Sequence, residues 1–333
     1  MNYNAVFLSN DPSQIDRVFA NGRREKLNSL LEFYPELIGS KNFDKHISRL
    51  HGVELIFSTW GMPTLNAEQI RLFPKLKVVF YAAGSVKHFA GPFLDCGVKV
   101  VSAWAANAIP VAEFTLAQIL LSCKGYFRNS ASCRDPKKGN AGALPAGRGI
   151  FGETVALLGA GQIGRKVIEL LKPFNLKVAV VDPCLSDAEA LLLGVRKISL
   201  EEAFQTAYVV SNHLPDLPEL RGVLTGAHFR SMRKDATFIN TARGAEVNEN
   251  ELSTVLRERP DITALLDVTF PEPPAPDSPF YSVPNLQLSS HIAGSINDEV
   301  LRMADYMIEE FQAWREDRPL RFEVSHEMLR RMA

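Results

Sequence analysis

Val155-Ala156-Leu157-Leu158-Gly159-Ala160-Gly161-Gln162-Ile163-Gly164 sits near the middle of a 333-residue chain and leads, through an amphipathic run, to Val180-Val181-Asp182. An apolar strand, a GxGxxG turn, a helix, a second apolar strand and an acid at its end follow in the order that a dinucleotide site requires. Gly159 serves the tight turn, Gly161 lets backbone approach a pyrophosphate, and Gly164 permits close packing of helix on strand. The helix N-terminus, carrying Gln162 and Ile163, supplies free N–H groups and partial positive charge for the phosphates. Asp182, eighteen positions after Gly164, is placed to accept hydrogen bonds from the adenosine ribose hydroxyls and to repel a 2′-phosphate. Pro183, Cys184 and Leu185 offer that phosphate no cation, so NAD is expected over NADP. Asp182 is also suited to cap the following helix, and the two readings are compatible.

Outward from this unit, apolar β-rich runs recur at Val155–Leu158, Val178–Val181, Val209–Asn212, Thr237–Asn240, Thr263–Asp267 and Leu286–Ser289, mostly separated by helical patterns. That alternation predicts an α/β fold, a doubly wound parallel sheet of Rossmann type. Because the glycine turn follows the first strand of such a sheet, the residues before about position 105 must form something else. They hold strand candidates at Ala5–Leu8, Leu55–Ser58, Lys77–Phe80 and Lys99–Ser102, a smaller α/β unit. The long amphipathic helix from Ile296 to about Glu316 and the apolar piece Leu320–Val324 have no place in a completed nucleotide sheet. They are therefore expected to return to the first unit, giving one domain of residues 1–105 and 297–333 and an NAD-binding domain of 106–296, the alternative being a C-terminal helix packed on the nucleotide domain. The chain would cross near Ala105–Pro110 and Ala293–Asn297.

Composition narrows the function classes. A formal net charge of −1 provides no electrostatic footprint for nucleic acid or anionic membrane, so small-molecule partners are expected. The apolar stretch Ile109–Cys123 is interrupted by Glu113 and Gln118 and reads as a buried helix, not a membrane span. The N-terminus has neither a basic region nor a long apolar one, so no signal peptide is expected. Cys96, Cys123, Cys133 and Cys184 form no CxxC pair and no metal-ligand spacing, which points to reduced thiols in a cytoplasmic protein and no metal. Residues 130–147, including Pro136-Lys137-Lys138-Gly139-Asn140, read as an exposed linker or a partner-contacting arm.

Three polar elements lie at later strand ends. Phe238-Ile239-Asn240-Thr241-Ala242-Arg243-Gly244 delivers an Arg to the sheet edge where ligands bind, and its fork suits a carboxylate or a carbonyl oxygen. Asp267-Val268-Thr269-Phe270-Pro271-Glu272-Pro273 fixes two acids outside the next strand, and Leu288-Ser289-Ser290-His291-Ile292-Ala293-Gly294 sets a His in a turn of small residues. Reduction of a keto group by hydride needs a proton donor at oxygen and a cation to hold the substrate. His and Arg supply both, and a carboxylate beside a histidine favours the imidazolium. Taken singly, each residue also has a plain structural reading as ion pair, turn carboxylate or loop histidine.

Taken together, in order, the motifs from about Val78 to Val324 resemble those of the D-isomer-specific 2-hydroxyacid dehydrogenases. The resemblance implies Arg243 as substrate-orienting cation, Glu272 as partner of the base and His291 as general acid/base. It implies cofactor binding by the glycine turn, by Asp182, by His213 and Pro215 beside the adenosine, by Thr241 and Ala242 along the nicotinamide ring, by Asp267 at its carboxamide, and by Ala293. Ala83-Gly84-Ser85 resembles the loop whose amides bind the substrate carboxylate, and Asn107 opens the segment entering the nucleotide domain. The implied architecture is a flavodoxin-like substrate domain, split in sequence, and a Rossmann domain through which a homodimer forms.

The chain departs from the family pattern at Trp60, where phosphate-handling members tend to place an Arg, and Gly61 and Met62 add no cation. A non-phosphorylated substrate is therefore expected. Trp60, Tyr81 and Trp104 read equally well as lining for an apolar acyl pocket or as core aromatics. No regulatory domain is expected after Val324, and Leu220 stands where the family usually has Thr. The alternative function is an NAD(H)-sensing scaffold or corepressor on the same fold, since fold alone does not dictate activity.

Overall fold

The computed structural model describes residues 3–134 and 147–332, so most of the basic stretch around Pro136–Asn140 lies outside the described residues. Its upstream end, Ser130–Cys133, finishes a helix that begins at Tyr126. The chain divides into two compact units, one built from the residues through Ala108 together with Ser295–Met332, the other from Ile109–Gly294.

In the first unit, β1 (Tyr3–Leu8), β2 (Leu31–Phe33), β3 (Leu55–Ser58), β4 (Val78–Tyr81) and β5 (Lys99–Ser102) are parallel, and the strand Glu323–Val324 pairs antiparallel with β5. The order across the sheet is Glu323–Val324, β5, β4, β3, β1, β2. β3 and β4 are buried along their whole length, as near-continuous apolar runs such as Val78-Val79-Phe80-Tyr81 require when helices cover both faces. The helix Leu301–Arg315 lays Met303, Ala304, Met307, Ile308 and Phe311 against this core, with the Phe80 and Phe311 rings 6.0 Å apart. On the same helix Glu310 is fully buried; it accepts hydrogen bonds from Arg321 N at 2.9 Å and Arg321 Nε at 3.0 Å, which fixes the approach of the last strand to β5.

In the second unit, β6 (Glu153–Leu158), β7 (Leu176–Val181), β8 (Arg196–Lys197), β9 (Val209–Asn212), β10 (Thr237–Asn240), β11 (Thr263–Leu266) and β12 (Leu286–Leu288) form a parallel sheet of order β12, β11, β10, β9, β6, β7, β8. The winding reverses between β6 and β9, the topological switch point at which open α/β sheets bind ligands. The register aligns Val181, Leu158, Asn212, Asn240, Leu266 and Leu288 in one row. Hence the loops that begin at Gly159, His213, Thr241, Asp267 and Ser289 all leave the same edge of the sheet.

Several expected boundaries move. The strand expected at Lys77–Phe80 lies one residue later, and the helix expected from Ile296 opens as a 3-10 turn over Asn297–Val300 before turning α at Leu301. β2 and β8 went unread because short edge strands, Leu-Glu-Phe and Arg-Lys, carry no apolar periodicity. The apolar helix runs from Trp104 to Cys123 through Pro110, and the first unit gives way to the second within it. By length and composition it is long enough to cross a membrane, but only half of it is buried in the protein and Leu121 is 39% exposed.

Candidate active site

The glycine turn is built by contacts that exclude side chains. Gly159 has φ of 100°, and a Cβ there would stand 2.7 Å from the His213 carbonyl oxygen. A Cβ on Gly164 would stand 2.1 Å from the Gly159 carbonyl oxygen, so the helix Gln162–Leu171 can pack this closely on the turn only with glycine. At Gly161, by contrast, a Cβ would meet no protein atom within 4 Å. The need for glycine there lies in the open space before the helix, whose first N–H groups have no intrahelical acceptor and whose cap residue supplies no side chain. That cradle fits a pyrophosphate.

Asp182 closes the turn from the side. Its Oδ2 accepts from Ala160 N at 2.7 Å and its Oδ1 from Cys184 N at 2.7 Å. It does not cap the following helix, which is capped by Ser186 in a reciprocal box with Glu189. Each carboxylate oxygen retains a lone pair, so the two backbone bonds orient Asp182 without exhausting it as a ribose acceptor. Replacing Asp182 by Ala is expected to raise KM for NADH about tenfold to a hundredfold and to narrow the preference over NADPH, both read from initial rates. An unchanged ratio would leave Asp182 a turn residue only. Across the switch point, His213 is buried; its Nε2 lies 3.0 Å from Ser211 Oγ, its Nδ1 has no partner among the described residues, and burial pulls the ring down to about 4. It is therefore a neutral imidazole at physiological pH with one polar atom left for a ligand or water.

Arg243 follows β10. Its Nη1 donates to its neighbour's carbonyl, Ala242 O, at 2.7 Å, one bond of a five-donor fork. Thr241 Oγ1 lies 3.2 Å from Thr115 Oγ1. A Cβ on Gly244 would lie 2.1 Å from the Thr269 carbonyl carbon, so the loop bearing Arg243 presses directly on the loop bearing Glu272.

Glu272 Oε1 and His291 Nδ1 are 2.6 Å apart. His291 adopts the left-handed region, with φ of 57°, and its backbone N donates to Asp267 O at 2.9 Å. Asp267, 1% exposed, organises this turn: its Oδ1 accepts from Ser289 Oγ at 2.6 Å and Ile292 N at 2.9 Å, and its Oδ2 from Ala293 N at 2.9 Å. Most of its acceptor capacity is thus spent on the protein. Because Glu272 engages Nδ1, the Nε2 of His291 is the ring atom left for a substrate oxygen. On the far side of the Glu272 loop, Phe270 N donates to Glu249 Oε1 at 2.7 Å, and burial raises Glu249 to about 7 against that bond.

The remaining site expectations fall on the first unit. Ala83, Gly84 and Ser85 follow β4 at its C-terminal end, and Asn107 backs them: a Cβ on Gly84 would lie 3.3 Å from Asn107 Nδ2, while Asn107 Oδ1 accepts from Ser295 N at 2.9 Å. Tyr81 is 2% exposed and packs on Phe89 at 4.9 Å; of its two readings the core one describes the structure, and burial raises its hydroxyl far above the usual range. Trp104 packs edge-on against Phe322 at 5.4 Å. Trp60 has a cation after all: the Arg17 guanidinium lies over its ring at 5.3 Å. Arg17 belongs to the helix Pro12–Val18, far in sequence from the turn that holds Trp60, so the neighbours of Trp60 give no sign of it. Asn212, a polar residue ending an apolar strand, carries a faint signal in the sequence, whereas Glu246 in a 3-10 turn and Glu249 at a helix start carry none.

Cys123 is buried, and burial together with Glu153 pushes its thiol up to about 12; Cys133 and Cys184 are exposed. Among the described residues no group of three or more His, Cys, Asp and Glu is arranged to hold a metal ion.

Comparison with known proteins identifies the family. Residues 116–293 match the profile of a family described as D-isomer specific 2-hydroxyacid dehydrogenase, NAD binding domain. A D-3-phosphoglycerate dehydrogenase of Mycobacterium tuberculosis is 30% identical over 233 residues, 70% of this chain and 44% of that protein. The putative 2-hydroxyacid dehydrogenase YoaD of Bacillus subtilis is 33% identical over 208 residues, 60% of this chain and 58% of that protein. The chain thus spans about half the length of the curated relatives it matches. A crystal structure of a phosphoglycerate oxidoreductase from Rhizobium etli shares the fold, with a TM-score of 0.81 at 22% identity, covering 98% of this chain and 99% of that one.

Proposed function

Since the chain belongs to the D-isomer specific 2-hydroxyacid dehydrogenase family, we propose that it interconverts a D-2-hydroxy acid and its 2-keto acid with NAD(H). The observation that carries the reading is the His291–Glu272 pair, 2.6 Å apart, on the same sheet edge as the glycine turn, with Arg243 in the loop after the intervening β10. NAD, when bound, supplies or accepts the hydride at carbon. His291 Nε2 gives a proton to the keto oxygen in reduction and takes it back from the hydroxyl in oxidation. Glu272 holds the ring by Nδ1 and offsets the charge of the imidazolium. Arg243 binds the carboxylate or the reacting oxygen with its planar fork, and Ala83, Gly84 and Ser85 receive the carboxylate by backbone amides. The domain assignment follows: Ile109–Gly294 binds NAD, and the unit containing Gly84 binds substrate.

A non-phosphorylated substrate is our first reading, on the ground that Trp60 replaces a cation. The Arg17 guanidinium over Trp60, together with relatives named D-3-phosphoglycerate dehydrogenase, favours a second: a 2-keto acid with a distal anionic group. A panel of aliphatic, aromatic, dicarboxylic and C3-phosphorylated 2-keto acids, followed by NADH absorbance and chiral analysis of the product, decides between them. Turnover of aliphatic or aromatic acids supports the first; preference for an anionic side chain, weakened by Arg17→Ala, supports the second. NADH binding with no turnover of any acid would leave the scaffold reading.

We also propose a cytoplasmic homodimer formed through the NAD-binding unit. The support for the dimer is a groove in which Phe114, Ala117, Leu121, Phe127 and Leu288 stand beside Gln118, Gln287 and Ser289, with Leu121 exposed.

A further inference from the structure

Glu246 is a carboxyl group shut inside the second unit. It is 1% exposed, its Oε2 accepts from Asn212 Nδ2 at 2.6 Å, and its Oε1 has no hydrogen-bond donor among the described residues. Asn212 ends β9 and Asn240 ends β10, directly opposite each other in the parallel register. The Asn212 amide nitrogen also donates to Asn240 Oδ1 at 3.2 Å. That oxygen accepts from Ala242 N at 3.0 Å, and Asn240 Nδ2 donates to Arg243 O at 2.8 Å. One chain of amides therefore runs from the Glu246 carboxyl to peptide groups on both sides of Arg243.

Direction matters in such a chain, because an amide has a donor end and an acceptor end. Turning Asn212 over would set its oxygen against Glu246 Oε2 and Asn240 Oδ1, acceptor against acceptor. A carboxyl acceptor at the head of the chain, with Leu214 N donating to Asn212 Oδ1 at 3.2 Å, permits one orientation. Burying an acid with one oxygen unmatched costs stability that an apolar side chain would not. Burial raises Glu246 to about 7, opposed by the Asn212 bond and by the amide and charge of Arg243.

We propose that Glu246 is a positioning residue for Arg243: acting through Asn212 and Asn240, it fixes the peptide groups from which the guanidinium extends. The inference rests on the reading of Arg243 as the substrate-orienting cation. Three variants of the full chain test it. Glu246→Leu removes the acceptor that draws the Asn212 amide to its place and lets the chain of amides shift; kcat/KM for the best keto acid should fall about tenfold to a hundredfold, chiefly through KM, with the Kd for NADH within about twofold of wild type. Glu246→Gln keeps an acceptor for Asn212 and should stay within about threefold of wild-type kcat/KM. In the double variant Asn212→Leu, Glu246→Leu, which removes both partners of the buried bond and also the acceptor of Leu214 N, kcat/KM should stay as low as in Glu246→Leu whichever way the thermal midpoint moves, separating positioning from folding.

A folded Glu246→Leu protein with kcat/KM within about twofold of wild type would overturn the proposal, as would activity that simply follows the thermal midpoint through the series. Should wild type reduce no keto acid, the proposed reaction fails on its own, and crystal structures of the variants still decide the positioning. A shift of the Ala242–Gly244 peptides in Glu246→Leu but not Glu246→Gln supports it, and unmoved peptides refute it.

Discussion

Asn in place of His291 is expected to lower kcat by about a hundredfold to ten-thousandfold, the range for loss of a positioned proton donor, while the Kd for NADH stays nearly unchanged. Asn is chosen because the residue occupies the left-handed region, φ 57°, which Asn tolerates better than other side chains. The turn is further held by Asp267 through Ile292 N and Ala293 N, neither of which the substitution touches. The loss thus reports chemistry, not a collapsed loop. Asn presents an amide that neither gives nor takes a proton at neutral pH, so only the hydride-transfer geometry survives. Glu272→Gln keeps a partner for Nδ1 without the charge and should fall between wild type and His291→Asn. A His291→Asn enzyme that retains wild-type kcat would remove the histidine from the proton path.

How much could be read before the structure depends on how local each requirement is. Gly159 and Gly164 were legible because their demands are met within a short segment: a positive φ and a helix start that touches the turn behind it. Apart from the short edge strand β8, the parallel strands of the second sheet were legible as apolar runs at helical intervals. His291 and Glu272 were legible only as companions in a series of motifs; their 2.6 Å pairing comes from the neighbouring positions of β11 and β12. Asn212, Asn240 and Glu246 were not legible as a unit, since what makes them one is the register of β9 against β10 and a 3-10 turn that folds Glu246 beneath them. Arg17 over Trp60 is the same case across 43 positions of sequence. Polar contacts made by tertiary register leave almost no trace in local pattern, whereas backbone constraints do.

Arg243 carries the other large effect, and its substitution separates geometry from charge. Arg243→Lys keeps a cation but replaces a planar fork by a point charge on a flexible stem. If the fork grips a carboxylate or the developing oxyanion through two charge-assisted bonds, losing them removes about 3 to 5 kcal/mol, or roughly a hundredfold to a few thousandfold in kcat/KM. Lys should recover little of this, and Gln less. Folding should be spared, because Arg243 is anchored by backbone: Asn240 Nδ2 holds its carbonyl and Gly244 seats the loop against Thr269. Among the described residues, what the substitution removes is the bond to Ala242 O and, in Gln, the charge that acts on buried Glu246. A cation that only concentrated anions near the site would let Lys restore kcat/KM and would make the defect fade at high salt, as screened attraction does. A fork that orients the reacting group predicts instead that kcat and KM both worsen in Lys and that salt changes neither ratio, a result that steady-state kinetics at two ionic strengths would decide.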